Sequence, residues 1–322
     1  MDSVSQFVLG ASVVMAVRGR RSPLWQSALC GGLIATLPDL DVFIDHGDAI
    51  SNMTLHRTES HSLFWLTLIS PLLGWLIARV VRQKAAWQSW WLAVWLALIT
   101  HPLLDLMTVY GTQLAIPFSH FPWAVGSVYI VDPLYTLPLM IGLVIALWRQ
   151  RTGWNQLGLL LSTLYLAWSV VAQGIAGHQV NRELANQQID HQQVLVTPTP
   201  FNTLVWRVVI MTPERYGEAW VSLLSPQRPL QVHWHSRHAE LYRPLQEDRW
   251  VKRVAWFSHG FFAMQQRQDG ALTISDLRMG ENESYIFTFN LGSATARNPH
   301  PSREPSSRDS LATSFQQLWQ RL

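Results

Sequence analysis

The chain has 322 residues, a formal charge of +3 and a single cysteine, Cys30. The length accommodates two domains, and one cysteine excludes both an internal disulfide and a cysteine-based zinc site. The basic residues are scattered, which excludes the one-sided stripe that nucleic-acid binding requires.

The first 177 residues hold the long apolar runs. Gln6 to Val17 ends on Arg18, Arg20 and Arg21, and Leu24 to Leu37 follows with Gly31 and Gly32 inside it. Both are shorter than the roughly 20 residues of an upright bilayer span, so tilt or flanking residues would have to lengthen them. The first lacks a small-residue cleavage site, and its charge follows the apolar run, unlike a signal peptide. Leu63 to Val81 is of full length and closes on Arg79, Arg82 and Lys84. Trp87 to Met107 opens on Trp87, Trp90 and Trp91, an aromatic belt of the headgroup boundary. Leu134 to Trp148 and Trp154 to Gln173 complete about six membrane segments, with Arg149 and Arg151 between them.

The basic clusters follow segments one, three and five. The positive-inside rule makes those loops cytoplasmic and puts the N-terminus and the other loops outside. On that outer face fall Asp39, Asp41, His56, His61 and the Asp105 end of segment four, none of which was used to set the topology.

From His178 the pattern changes to short runs rich in β-branched and aromatic residues, punctuated by Gly, Pro and Asp. The expected fold is an α-helical membrane domain (residues 1–177), then a mostly antiparallel β extramembrane domain (178–290) on the outer face. Residues 291–322 read as a flexible tail with a short helix over Leu311 to Leu322.

The chemistry concentrates in Leu37 to Ser62, where Asp39, Asp41, Asp45, Asp48 and Glu59 accompany His46, His56 and His61. Carboxylates and imidazoles are the oxygen and nitrogen donors that divalent metals take. His101 and Asp105 are spaced i, i+4 and share a helix face; near the end of an apolar span such residues are paired, wetted or functional. Each piece has a plain alternative. Asp39 and Asp41 after Pro38 suit a helix N-terminus, Asp45, His46 and Asp48 suit a solvated loop, and His101 with Asp105 suit a mutual hydrogen bond. Together, on one face, they supply donors for two or three metal ions. Glu59 is a candidate ligand or general base, and Arg57 a candidate fork for an anionic oxygen or a lipid headgroup. His233, His235 and His238 alternate along a strand, which suits an exposed face better than a ligand cluster.

The stretches DSVSQFVLGA, LPDLD, HRTESHS, THPLLDLMTVYGTQLAIPFS and VDPLYTLP resemble the YdjM-like family, described as LexA-regulated, inner-membrane metal-dependent hydrolases. TPTPFNTLVWRVV, WFSHGFF and ISDLRMG resemble its longer members, so the likeness covers nearly the whole chain. The family is distantly similar to zinc-dependent phospholipases C and single-strand nucleases. The resemblance implies Asp39, Asp41, His56, His61, His101 and Asp105 as metal ligands, with Asp132 a further acidic candidate. The family pattern has glycine where this chain has Thr58, which predicts a strained positive φ at that position. Phe201, Asn202, His259, Asp276 and Arg278 lie in family-like stretches as candidates for capping the site or binding substrate.

The reading that results is a hydrolase of the bacterial inner membrane holding one to three divalent ions, by its donors zinc. Its site lies on the periplasmic side, beside the bilayer, and its substrate is a phosphoester or lipid-linked molecule. No nucleic-acid partner is expected. The alternative is an ion- or proton-coupled transporter, with His101 and Asp105 as relay groups; a third is a non-catalytic envelope protein with a structural metal.

Overall fold

The computed structural model describes residues 1–293 and 297–305. The helices are α1 (Ser3–Arg18), α2 (Leu24–Thr36), α3 (Ala49–Leu55), α4 (Leu63–Val80), α5 (Trp87–Leu106), α6 (Pro133–Arg149), α7 (Gly153–Asn186), α8 (Ala239–Tyr242) and α9 (Arg249–Phe257). The strands are β1 (Gln193–Pro198), β2 (Val205–Met211), β3 (Arg215–Ser222), β4 (His233–Ser236), β5 (Phe262–Gln266), β6 (Ala271–Asp276), β7 (Gly280–Glu281), β8 (Ser284–Tyr285), β9 (Thr288–Ser293) and β10 (Arg297–Arg303). The chain divides into a helical unit, Met1–Phe43 with Arg57–Val170, and a β unit, Ile44–His56 with Val171–Leu322.

In the helical unit Asp2 caps α1, its carboxylate accepting from the backbone of Val4 and Ser5. α1 and α2 pack backbone to backbone: a Cβ on Gly10 would lie 2.5 Å from the Gly31 carbonyl oxygen. Small residues permit that approach, as is common between apolar helices. α4 and α5 are tied by indole N–H groups, Trp91 to the Ser70 hydroxyl (3.0 Å) and Trp95 to the Thr67 hydroxyl (3.1 Å). Three stretches are long and apolar enough to cross a membrane: Leu63–Val80, Lys84–Leu106 and Gly153–Asn186. Six apolar segments all form helices, but α1, α2 and α6 fall short of that length. α1 is instead a core helix, with Val8, Leu9, Ala11, Val14 and Met15 buried. α4 leaves Leu68, Leu72, Leu76 and Val80 exposed.

In the β unit β1 to β4 form an antiparallel meander, and β10-β9-β6-β5 form a second antiparallel sheet. The polar region does not begin with strands. α7 continues to Asn186, because Ala172, Ala176, Val180 and Leu184 recur every fourth residue and pack on Trp206, Val208 and Ile210 of β2. Part of the expected tail is ordered as well, since Arg297–Arg303 pairs with β9. The expected helix over Leu311 to Leu322 lies outside the described residues. α3, within the acidic stretch, belongs to this unit: Asp48 caps it through the Ser51 N–H, and Thr54 accepts from Arg253 Nε.

Candidate metal centre

The site is built from three places in the helical unit. A 3-10 turn, Pro38–Phe43, follows α2 and presents Asp39. A second, Glu59–His61, leads into α4 and presents His61. His101 and Asp105 stand one turn apart on the last stretch of α5. The loop between α5 and α6 braces the His61 turn. Gln113 donates its backbone N–H to the Arg57 carbonyl (3.0 Å), Leu63 donates to the Leu114 carbonyl (3.0 Å), and the Ser62 hydroxyl donates to the Ile116 carbonyl.

Asp39, His61, His101 and Asp105 bring one donor atom each to within 4.8 Å of one another. His61 Nε2 lies 3.1 Å from His101 Nε2, 3.5 Å from Asp39 Oδ1 and 3.2 Å from Asp105 Oδ2. His101 Nε2 lies 3.4 Å from Asp39 Oδ1 and 3.3 Å from Asp105 Oδ2. A tetrahedral ion with bonds of about 2.0 Å sets its ligand atoms about 3.3 Å apart. The five separations therefore trace five edges of such a tetrahedron.

The surrounding hydrogen bonds fix the ligand state of each histidine. His101 Nδ1 lies 2.6 Å from the Ala35 carbonyl, which only accepts, so Nδ1 carries the proton and Nε2 presents a lone pair. The Ser60 hydroxyl donates to Asp41 Oδ2 (2.6 Å), leaving its oxygen to accept from His61 Nδ1 at 2.9 Å. Asp105 divides its oxygens. Oδ1 pairs with Arg57 Nη2 at 3.1 Å and with the Met1 amine, while Oδ2 faces the two histidines, buried and without a hydrogen-bond donor among the described residues. A buried carboxylate oxygen left in that state is costly, and a cation between the four donors removes the cost. The donor set fits a divalent metal.

The sequence candidates separate accordingly. Asp41 stands behind His61, its Oδ2 3.6 Å from Nδ1 and bonded to Ser60 and to the Arg57 N–H. His56 is half-buried, falls within the β unit's segment, and lies outside the four-donor group, as does exposed Glu59. Asp132 caps α6 through the Leu134 N–H and accepts from Tyr165 (2.8 Å); burial nonetheless raises its pKa. Arg57 is buried, with Nη1 3.3 Å from the Thr108 hydroxyl and its guanidinium over the Tyr110 ring. The strained φ expected at Thr58 belongs instead to Arg57, at +65°, while Thr58 sits at −99°. That left-handed turn lets one residue give its N–H to Asp41 and its side chain to Asp105.

Gln6, in an apolar run, is fully buried and donates from Nε2 to the His101 carbonyl (3.1 Å). Its isolation as an amide among Val, Leu and Ala was the available signal. In the β unit, Asp276 and Arg278 form a buried pair and Asn202 ties its own turn through the Leu204 and Val205 N–H groups, so both serve local structure. His233 is exposed and His235 partly so, in keeping with a surface strand.

The family model described as YdjM inner membrane protein matches residues 1–176, more than half the chain and all four donors. The chain belongs to the YdjM inner membrane protein family. A curated relative, the uncharacterized protein YfhP of Bacillus subtilis strain 168, is 26% identical over 196 residues, 57% of this chain and 57% of YfhP. The chain thus spans little more than half of that relative's length. No solved structure matches.

Proposed function

We propose that this YdjM family member is a metal-dependent hydrolase acting at the membrane surface on a phosphoester or lipid-linked substrate. The observation that carries the reading is the near-tetrahedral spacing of one donor atom each from Asp39, His61, His101 and Asp105, among them an Asp105 oxygen with no hydrogen-bond donor among the described residues. Two imidazoles with two carboxylates favour zinc among the available divalent ions. When bound, such an ion supplies Lewis acidity toward water and toward a phosphoryl or carbonyl oxygen.

The chain's own residues divide the remaining work. His101, Asp105 and His61 have fully buried side chains and form the fixed part of the cradle, whereas Asp39 is 20% exposed. Substrate and water would therefore reach the four donors from the Asp39 side, where a bound ion would be least enclosed by protein. Glu59, exposed on the turn that carries His61, is the candidate to accept a proton. Arg57 is sealed beneath Asp105 and acts as a positioning residue, orienting that carboxylate and balancing its charge. Asp132 is engaged in capping α6 and supports the frame. The donors gather at one end of α5 rather than along its length, which favours a surface hydrolase over a transporter that relays ions through the membrane depth.

The test is metal content by mass spectrometry of detergent-purified protein, paired with hydrolysis of phosphodiester and phospholipid substrates. Wild type should carry about one zinc per chain, with His101→Ala and Asp105→Asn losing both metal and hydrolysis. Equal metal in wild type and both variants would remove the site; metal without hydrolysis of any ester would leave a structural centre in its place.

A further inference from the structure

We propose that the β unit holds a second site, a pocket for a hydroxylated anion about the size of one sugar ring. The site is independent of the metal centre and is made wholly from residues of the β unit. A cavity of about 320 Å³ opens between the end of α7, the β3 edge and the β7–β8 turn, with Gln179, Trp220, Arg228, His233 and Asn282 in its lining. That volume is at the small end of the range for ligand pockets, which begins at roughly 300 Å³.

The lining selects the chemistry. It contains Arg228 and His233 and no carboxylate, so its field favours negative charge. The Arg228 guanidinium is exposed and has no hydrogen bond or ion pair among the described residues. Gln179 is only 6% exposed; its Nε2 donates to the Pro226 carbonyl (3.3 Å), and its Oε1 is buried with no donor among the described residues. A buried amide oxygen without a donor is uncommon and costly, and a turn of the Gln179 amide toward the cavity would let a ligand hydroxyl satisfy it. The half-buried Trp220 ring lies 6.0 Å from the His233 ring at 59°, an aromatic wall against which the C–H face of a sugar can lie.

The wall opposite is fixed rather than loose. Asn282 donates its backbone N–H to Glu218 Oε2 (2.8 Å), and fully buried Glu218 is paired with Arg207 and accepts from the Tyr285 hydroxyl (3.2 Å). Asn282 and Glu283, with φ of 53° and 61°, are the two central residues of the β7–β8 hairpin, where a two-residue turn takes positive φ at both. The Glu218 bond anchors that turn at the edge of the cavity that Asn282 lines.

Isothermal titration of the full-length protein in detergent tests the site, with glucose 6-phosphate and glucuronate as anionic probes and glucose as the neutral control. Saturable binding of at least one anion, tighter than glucose, is expected. Arg228→Gln should weaken that anion roughly tenfold or more, as the loss of one charge-assisted hydrogen bond does, with no change in thermal unfolding. Gln179→Met should weaken it while keeping the preference for anion over glucose. Absence of saturable heat with both anions, or wild-type affinity in Arg228→Gln, would overturn the proposal; wild-type affinity in Gln179→Met would remove the hydroxyl contact from it.

Discussion

Asp105 holds two cationic groups with one oxygen and offers the other, unpartnered, to His61 and His101. A ligand so divided depends on the groups behind it. Arg57→Ala removes the Nη2 contact and leaves Asp105 Oδ1 held by the Met1 amine alone, while Ser60→Ala removes the oxygen that accepts from His61 Nδ1 and so releases its tautomer. Both residues touch the candidate ligands rather than the donor centre, so on the proposed reading both variants should still bind a divalent metal. Loss of such outer partners weakens metal affinity by roughly 10- to 100-fold. Competition against a chromophoric chelator measures this directly, and wild-type affinity in both variants would show that the ligands hold themselves. Asp39→Asn offers a contrast: as the exposed ligand it should cost hydrolysis more than metal, read as the ratio of kcat loss to affinity loss.

At the scale of elements, the α1–α2 contact is set by glycine. In a free helix alanine is favoured over glycine by about 1 kcal/mol, so Gly31→Ala would stabilise α2 by propensity alone. Its Cβ, however, would meet the Gly10 backbone and the Val14 side chain, the latter at 2.7 Å. Backbone cannot yield as a side-chain tip can, and overpacking costs about 1 to 3 kcal/mol, so the clash wins and the unfolding temperature should fall. In the β unit, burial pushes the Tyr216 hydroxyl up to about 12, with the Tyr285 bond pulling it back. Unfolded tyrosine titrates near 10. Between those values the unfolded chain has released the proton and the folded chain retains it, so stability should drop as pH rises through that window. Chemical denaturation across it should show the fall in wild type and a shallower one in Tyr216→Phe.

The same elements show what the sequence carries and where it stops. Asp39, His61, His101 and Asp105 were all legible, because ionisable groups beside apolar runs stand out by cost alone. Their separation from Asp41 and His56 was not, since an Asp-x-Asp pair and two nearby histidines look alike until a turn decides which faces inward. The strain assigned to Thr58 moved one residue because the turn is fixed by Asp41 accepting the Arg57 N–H, a contact across 16 residues. Hydropathy found the six apolar helices but not their use: α1 is apolar because it is surrounded by helices, α4 because much of it is exposed. β10 was read as tail because Ser, Pro and Arg dominate it, yet an edge strand needs only one paired side, and composition does not report that.

For the molecule as a whole, the helical unit has two chemically different ends. At one, buried Arg18 donates to Ser89 and Gln83, joining the end of α1 to the start of α5. At the other stand His101 and Asp105, and Ser89 to Asp105 spans 16 residues of helix, about 24 Å at 1.5 Å per residue. That is close to the thickness of the hydrocarbon core. The clusters Arg18/Arg20/Arg21 and Arg79/Arg82/Lys84 fall at the Arg18 end, where the positive-inside rule expects the cytoplasm. The donor end should then face the periplasm. The chain has one cysteine, so Cys30→Ser gives a silent background for a single reporter at exposed Glu59, beside His61. A membrane-impermeant maleimide added to intact spheroplasts should label Glu59→Cys, and should label Lys84→Cys only after lysis. The reverse pattern would put the basic end outside and the donor end in the cytoplasm, and the search for substrate would move to that side of the bilayer.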